Sequence, residues 1–134
     1  MRVRRFFILV LLLCMAAWAS AQTQLDMNIE ACADYQAAEE ELAAVYQQLV
    51  RAKIDDREFV EAIEQAQRAW MAFRDAELKA IYPKRDARLA YGSAHPMCEC
   101  GALAKLTRAR SAALMQWLMN HEGDVCAGSQ GSSQ

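Results

Sequence analysis

Apolar or small residues recur at alternating intervals of four and three positions near the start of the chain. They are Ala31, Tyr35, Ala38, Leu42, Val45 and Leu49. This spacing places them all on one side of an α-helix, because about 3.6 residues make one turn. A continuous stripe of this kind is typical of a helix that packs in a bundle. We therefore expect a first helix from about residue 28 to residue 51.

Two more helices are predicted farther along. Asp55 followed by Glu58 has the form of a capping box, which opens a helix. Pro83 ends that helix, because proline disfavours helical geometry in the residue before it. Its apolar stripe comprises Phe59, Ile63, Ala66, Trp70 and Phe73. With a third helix from about Ala102 to Asn120, the predicted fold class is all-α: an antiparallel helical bundle of three main helices with a long, disulfide-anchored loop between helices 2 and 3.

Residues 1–21 have the composition of a secretory signal peptide. Arginines near the start precede an apolar run, and the sequence ASA closes the segment as a cleavage site would. The run is shorter than the roughly 20 residues that a membrane-spanning helix needs. We therefore expect cleavage before Gln22, a periplasmic or secreted product, and no membrane partner afterwards.

The predicted mature chain is acidic. It keeps 12 of the 15 basic residues, because three arginines leave with the leader, and all 17 acidic ones, so its net charge is −5. A nucleic-acid-binding protein needs a basic surface, so we expect no nucleic-acid partner. The expected organisation is one helical domain over residues 22–126 and a disordered tail over residues 127–134.

Four cysteines follow the leader: Cys32, Cys98, Cys100 and Cys126. An even number in an exported chain predicts two disulfides. A bond between Cys98 and Cys100 would close a very small, strained ring. These two are therefore expected to bond to Cys32 and Cys126 in either order, and the connectivity stays open.

The segment AQRAWMAFRDAEL combines aromatic residues with an unlike-charge pair. The residues expected to form a structural network are Trp70, Phe73, Arg74, Asp75, Thr107 and Arg110. Trp70 and Phe73 share one helix face and are expected in the core. Arg110 falls within the apolar stripe of the third helix, where an unpaired charge is costly. We therefore expect Asp75 to pair with Arg110 and to fix how the two helices dock.

The stretches ELAAVYQQL, AQRAWMAFRDAEL and YGSAHPMCECGALAKLTRARSAAL carry a recognisable set of motifs. The set is an acidic residue and leucine before a tyrosine, A-Q-x-x-W-x-x-(Y/F)-R-D, a Gly-Ser loop and L-T-x-x-R. It resembles the N-terminal domain of the LprI-like lysozyme inhibitors over about residues 28–118. The resemblance implies an exported helical domain and lysozyme inhibition, in a group largely of unknown function. Leu78 stands where that family often has a cysteine, so the disulfide pairings of relatives do not carry over.

The connection PKRDARLAYGSAHPMCEC, residues 83–100, is the expected partner-binding loop. It exceeds the roughly two to eight residues of a plain helix connection, and ordered long loops often carry function. Its cationic and hydroxyl groups belong to Lys84, Arg85, Arg88, Tyr91 and Ser93. A lysozyme cleft holds a pair of carboxyl groups, which such donors suit.

Two alternatives stay open. One is an envelope interaction module with a protein partner other than lysozyme. The other is a periplasmic copper-binding protein, because His95, Met97, Cys98 and Cys100 offer soft or borderline ligands that suit Cu(I). Disulfide formation would use the same cysteines, so we favour no metal and no cofactor. The sequence holds no evident catalytic triad and no phosphate-binding glycine loop, so we predict that the protein is not an enzyme.

Overall fold

The structure is a computed structural model that describes the backbone of residues 2–119 and 124–130 and the side chains of residues 23–119 and 124–130. Its helices are α1 (Arg2–Ala52), α2 (Arg57–Ile81), α3 (Ala87–Tyr91) and α4 (His95–Gln116). These described residues contain no β-strand. The predicted all-α class is therefore confirmed, with α1, α2 and α4 as the three main helices.

The two ends of the chain differ in how far the structure describes them. α1 begins at Arg2 instead of near residue 28, so the backbone of the predicted leader is helical. The leader's side chains and its cleavage site lie outside the described side chains. Residues 124–130 form two successive turns, and residues 131–134 of the predicted tail lie outside the described residues. In the part of the chain that the structure describes, no helix is long and apolar enough to span a membrane.

α2 is capped by Asp56, whose carboxylate accepts a hydrogen bond from the backbone nitrogen of Phe59 at 3.0 Å. The predicted cap at Asp55 is therefore wrong by one residue. An N-cap carboxylate reaches the amide three positions on, and Asp56 rather than Asp55 stands at that distance from Phe59. The helix ends at Ile81, shortly before Pro83, as predicted.

α4 begins at His95, well before the predicted start near Ala102. Pro96 lies in its first turn, where a missing N–H is harmless because it would have no partner inside the helix. Cys98 and Cys100 are therefore helical. The connection between α2 and α4 is shorter than predicted. It comprises residues 82–94 and contains α3.

α1 and α4 run parallel and pack closely together. Cys32 bonds to Cys100 toward one end of the pair, and Leu49 and Leu114 share a buried cluster toward the other. Small buried side chains on α4 allow this close approach, because they keep the two backbones near each other. They are Ala104, Thr107 and Ser111.

The apolar core lies at the end of the bundle where α1 stops and α2 begins. Its buried members are Leu42, Val45, Leu49, Phe59, Ile63 and Leu114. The ring centroids of Phe59 and Trp117 are 5.8 Å apart, so the start of α2 meets the end of α4 and the two helices are antiparallel. Trp70 packs against this core, as predicted. Phe73 does not: it is 54% exposed, because α2 faces α1 at this level through Arg74 instead.

Candidate binding surface

One disulfide joins α1 to α4. Cys32 and Cys100 are bonded, with their Cα atoms 4.9 Å apart. The second expected disulfide is not formed within the described residues, where Cys98 and Cys126 are free and exposed. Two residues of helix turn by about 200°, so Cys98 faces away from the side of α4 that meets Cys32. About 27 Å of helix also separates Cys98 from the end of α4 that leads to Cys126.

Arg74 joins α2 to α1. Its guanidinium pairs with Glu39 of α1 and with the adjacent Asp75, whose Oδ1 lies 3.1 Å from Nη2. The same guanidinium lies over Trp70, with Cζ 5.3 Å from the ring centroid. The Arg74 side chain is only 14% exposed, so its charge depends on these partners. Burial raises the pKa of the neighbouring Tyr35 above its ordinary value.

Arg110 of α4 binds α2 through a neutral partner. Its Nε donates to Oε1 of Gln67 at 3.1 Å. The predicted salt bridge from Arg110 to Asp75 is therefore wrong, and Asp75 pairs with Arg74 instead. Asp75 follows Gln67 by eight residues, which is about 12 Å along the helix. Burial lowers the pKa of Arg110, and its Nη2 has no hydrogen-bond partner among the described residues.

A surface ion pair adds a second link between α1 and α4. Arg108 donates to both carboxylate oxygens of Asp34, with Nη1 to Oδ2 at 2.8 Å and Nη2 to Oδ1 at 2.6 Å. This hydrogen bonding is the main cause that lowers the pKa of Asp34. The bidentate geometry fixes the two helices in register on the side of the molecule that faces solvent.

The connection that contains α3 has a fixed backbone. Asp86 caps the short helix, and its carboxylate accepts a hydrogen bond from the backbone nitrogen of Leu89 at 3.0 Å. Gly92 follows the helix with φ at 74°, a left-handed conformation that only glycine adopts readily. Asn28 of α1 donates from Nδ2 to the carbonyl of Ser93 at 3.0 Å. These bonds hold the loop against α1 and the start of α4.

An aromatic cluster packs at the two ends of the connection between α2 and α4. Tyr91 stacks on His95 with ring centroids 5.3 Å apart, and both rings meet Tyr82 edge-on, at 5.2 Å and 4.7 Å. Nδ1 of His95 lies 3.7 Å from a carboxylate oxygen of Glu99. Tyr91 was predicted as a partner-binding residue, and it is half-buried in this cluster. Through these ring contacts, Tyr91 supports the backbone of the loop.

The outer side of the same connection is cationic. Lys84, Arg85 and Arg88 are all exposed there, and so is Ser93. Leu89, beside Arg88, is 85% exposed. Arg88 also borders an open groove of about 790 Å³ between α3, α1 and the start of α4. The predicted cations are thus all accessible to solvent within this short connection, and its exposed residues Lys84, Arg85, Arg88, Leu89 and Ser93 form the α3 surface.

Comparison with known proteins bears on this arrangement. The model of the family described as lysozyme inhibitor LprI matches residues 14–114. The chain belongs to this family. It is also similar to an uncharacterized protein of Rhizobium meliloti (strain 1021), with 37% identity over 136 residues, covering 85% of this chain and 94% of that protein. No solved structure matches the chain.

The LprI motifs explain the helix contacts described above. In A-Q-x-x-W-x-x-(Y/F)-R-D, Gln67 binds Arg110 of the L-T-x-x-R motif, and Trp70 lies beneath Arg74. Thr107 is fully buried between α1 and α4. The A-Q-x-x-W-x-x-(Y/F)-R-D and L-T-x-x-R motifs therefore dock the three main helices of the LprI domain, whereas Gly92 and Ser93 of the Gly-Ser loop lie in the α3 connection.

Of the possible copper ligands in the HPMCEC segment, Cys100 is used in the disulfide with Cys32. Cys98 is free and exposed, and His95 stacks on Tyr91 and meets Tyr82 edge-on. The described residues contain no group of three or more His, Cys, Asp or Glu side chains arranged to hold a metal ion.

Sequence reasoning missed several residues of these contacts. Glu39 lies outside the apolar stripe of the first helix and was not proposed as a partner, yet it pairs with Arg74. Gln67 was visible in its motif but was not proposed as a partner of Arg110. Tyr82 and His95 form the support of the loop, and the only signal was their aromatic character on both sides of Tyr91.

Proposed function

We propose that this LprI-family protein is an exported binding module of the bacterial envelope that inhibits a lysozyme by protein–protein contact, without catalytic activity of its own. Family membership supports the lysozyme assignment. Within this chain, the main support for the proposal is the α3 connection. It combines a fixed backbone with exposed cations.

The chemistry of the loop suits the active site of a glycosidase. Such enzymes work with two carboxyl groups that flank the scissile bond in an open cleft. A guanidinium binds a carboxylate through paired, charge-assisted hydrogen bonds. Arg85 and Arg88 would contact these carboxyl groups and exclude the polysaccharide, with Lys84 and Ser93 as further donors. This mode of inhibition needs no chemical step.

The fixed backbone contributes to affinity. A flexible loop loses conformational entropy on binding, and a loop already held in its bound shape loses less. Asp86, Gly92 and the Asn28 hydrogen bond hold this loop before any partner arrives. We therefore expect the free and bound conformations of α3 to be similar.

Export is part of the proposal. The leader pattern of residues 1–21 supports it, and so does the bond between Cys32 and Cys100, because disulfides persist in oxidising compartments. The proposed location is the periplasm or the medium, where a lysozyme that attacks the cell wall would be met.

The test is a titration of lysozyme activity on cell walls. The chain is expressed with its own leader, purified after export, and added in increasing amounts to a fixed amount of lysozyme. We expect saturable inhibition, and capture of lysozyme on the immobilised protein. Full lysozyme activity at a large excess of the protein would contradict the proposal, and a capture from envelope extract would then look for a different protein partner.

A further inference from the structure

Leu89 has an unusual position for a large apolar side chain. At 85% exposure it is the most exposed large apolar residue within the helices whose side chains the structure describes. Its neighbours in the connection, Arg85 and Arg88, are also exposed. The result is an exposed apolar side chain that two exposed cations precede in the sequence, by one and by four positions.

The backbone at Leu89 is fixed although its side chain is free. Its N–H donates to the Asp86 carboxylate at 3.0 Å, and the N–H of Gly92 donates to the carbonyl of Arg88 at 3.0 Å. Tyr91, two residues on, packs against Tyr82 and His95. Two residues of helix turn by about 200°, so Leu89 points away from the side of α3 on which Tyr91 is packed.

We propose that Leu89 is the apolar anchor of the α3 surface, which docks together with the exposed Arg85 and Arg88 in an open, acidic cleft of a protein partner. This inference rests on the proposed function and adds to it the kind of cleft that the loop fits. Binding energy at protein interfaces concentrates in a few side chains that become fully desolvated at the centre. Leu89 supplies the apolar group and the arginines supply the charge complement to the cleft's carboxyl groups.

Charge favours a protein cleft over an anionic membrane as the occupant. The proposed mature chain carries a net charge of −5, so an anionic membrane would repel most of its surface. The cationic segment from Lys84 to Arg88 contains three basic residues and one acidic one. A cleft needs charge complementarity only over this small area, whereas a membrane surface would face more of the molecule.

The test compares Leu89→Ser with Leu89→Met and with Ile54→Ser as a matched control. Ile54 is 63% exposed in the turn after α1, at the opposite end of α2 from α3. Thermal unfolding should be the same for all variants and the wild type, because neither residue is buried. We expect Leu89→Ser to raise the inhibition constant for lysozyme about tenfold or more, Leu89→Met to stay within about threefold, and Ile54→Ser to have no effect.

The possible results distinguish a failure of the Leu89 anchor from a failure of the proposed function. If the wild type inhibits lysozyme and Leu89→Ser inhibits equally well, the anchor is overturned and the proposed function stands. If the wild type does not inhibit, both fall. Binding to vesicles of phosphatidylglycerol is measured in parallel, and loss of vesicle binding by Leu89→Ser with unchanged inhibition would assign the residue to a membrane and overturn the proposal.

Discussion

Arg74 of α2 pairs with Glu39 of α1 while it lies over the ring of Trp70. This contact begins where the apolar core ends, since Trp70 packs on the core and Phe73, one turn later, is exposed. Beyond the core, α2 is therefore linked to α1 by this polar contact. The contact helps to orient the end of α2, from which the α3 connection starts.

Replacement of Arg74 or Glu39 should loosen this half of α2. We expect Arg74→Ala to lower the free energy of unfolding more than Glu39→Ala does. The reason is that Arg74→Ala also removes the contacts with Asp75 and Trp70. The double variant should lose less than the sum, with a coupling of about 1 kcal/mol for a pair that is partly exposed. Urea denaturation of the four proteins measures this coupling.

The pair Asp75 and Arg110 provides the control for that cycle. The two residues do not pair, so Asp75→Ala and Arg110→Ala should be additive to within about 0.5 kcal/mol. A coupling as large as that of Glu39 with Arg74 would mean that the helices dock in a different register.

The hydrogen bond from Arg110 to Gln67 predicts a second effect. Gln67→Ala leaves a half-buried guanidinium with fewer partners and should cost about 1–3 kcal/mol of unfolding free energy. In the background of Arg110→Met the same substitution should cost much less, because no charge is left to satisfy. An equal cost in both backgrounds, measured by urea denaturation, would show that Gln67 acts through packing alone.

The sequence predicts where a helix forms better than it predicts which side chains pair between helices. The stripe from Ala38 to Leu49 is buried as expected, because the spacing of apolar residues directly reflects the helical period. The partner of Arg110 was predicted wrongly. Asp75 and Gln67 lie on the same helix, and the choice between them depends on how far α2 is shifted along α4, which no local pattern encodes.

The start of α4, at the end of the α3 connection, was also predicted wrongly. The loop's cations and cysteines were recognised, but α4 was expected to begin near Ala102, after the loop that holds both prolines and the Gly-Ser turn. Pro96 is compatible with a first helical turn, so α4 begins at His95. The stacking of Tyr91 on His95 depends on this earlier start, and it could not be predicted without it.

The disulfide between Cys32 and Cys100 predicts distinct roles for the cysteines. Cys32→Ser should lower the free energy of unfolding by up to about 4 kcal/mol, since the bond closes a loop with a sequence separation of 68. Cys98→Ser should leave stability unchanged. Thiol titration of the exported, native protein should find two reactive thiols, Cys98 and Cys126. Finding no free thiol would contradict this assignment and show that a second disulfide forms.

The ion pair of Asp34 and Arg108 predicts a dependence on pH. The folded state lowers the pKa of Asp34, so the stabilisation is present above the ordinary aspartate pKa of about 3.9 and is lost as pH falls through the lower, folded value. Asp34→Asn should therefore lower the melting temperature at pH 7, and this difference from the wild type should be smaller at pH 2. Asp26→Asn, an exposed change on the same helix, is the control. An equal difference between Asp34→Asn and wild type at both pH values would contradict the linkage.

The most direct test of the account is the inhibition constant for lysozyme of the double variant Arg85→Ser, Arg88→Ser. The matched control is Arg57→Ser, Arg68→Ser, which removes two exposed arginines of α2 that only pair with Glu61 and Glu64 on their own helix. We expect the loop variant to keep the wild-type melting temperature and to inhibit about tenfold or more weakly, while the control inhibits like the wild type. Equal inhibition constants for the two double variants would place the lysozyme contact elsewhere and contradict the role of the α3 surface.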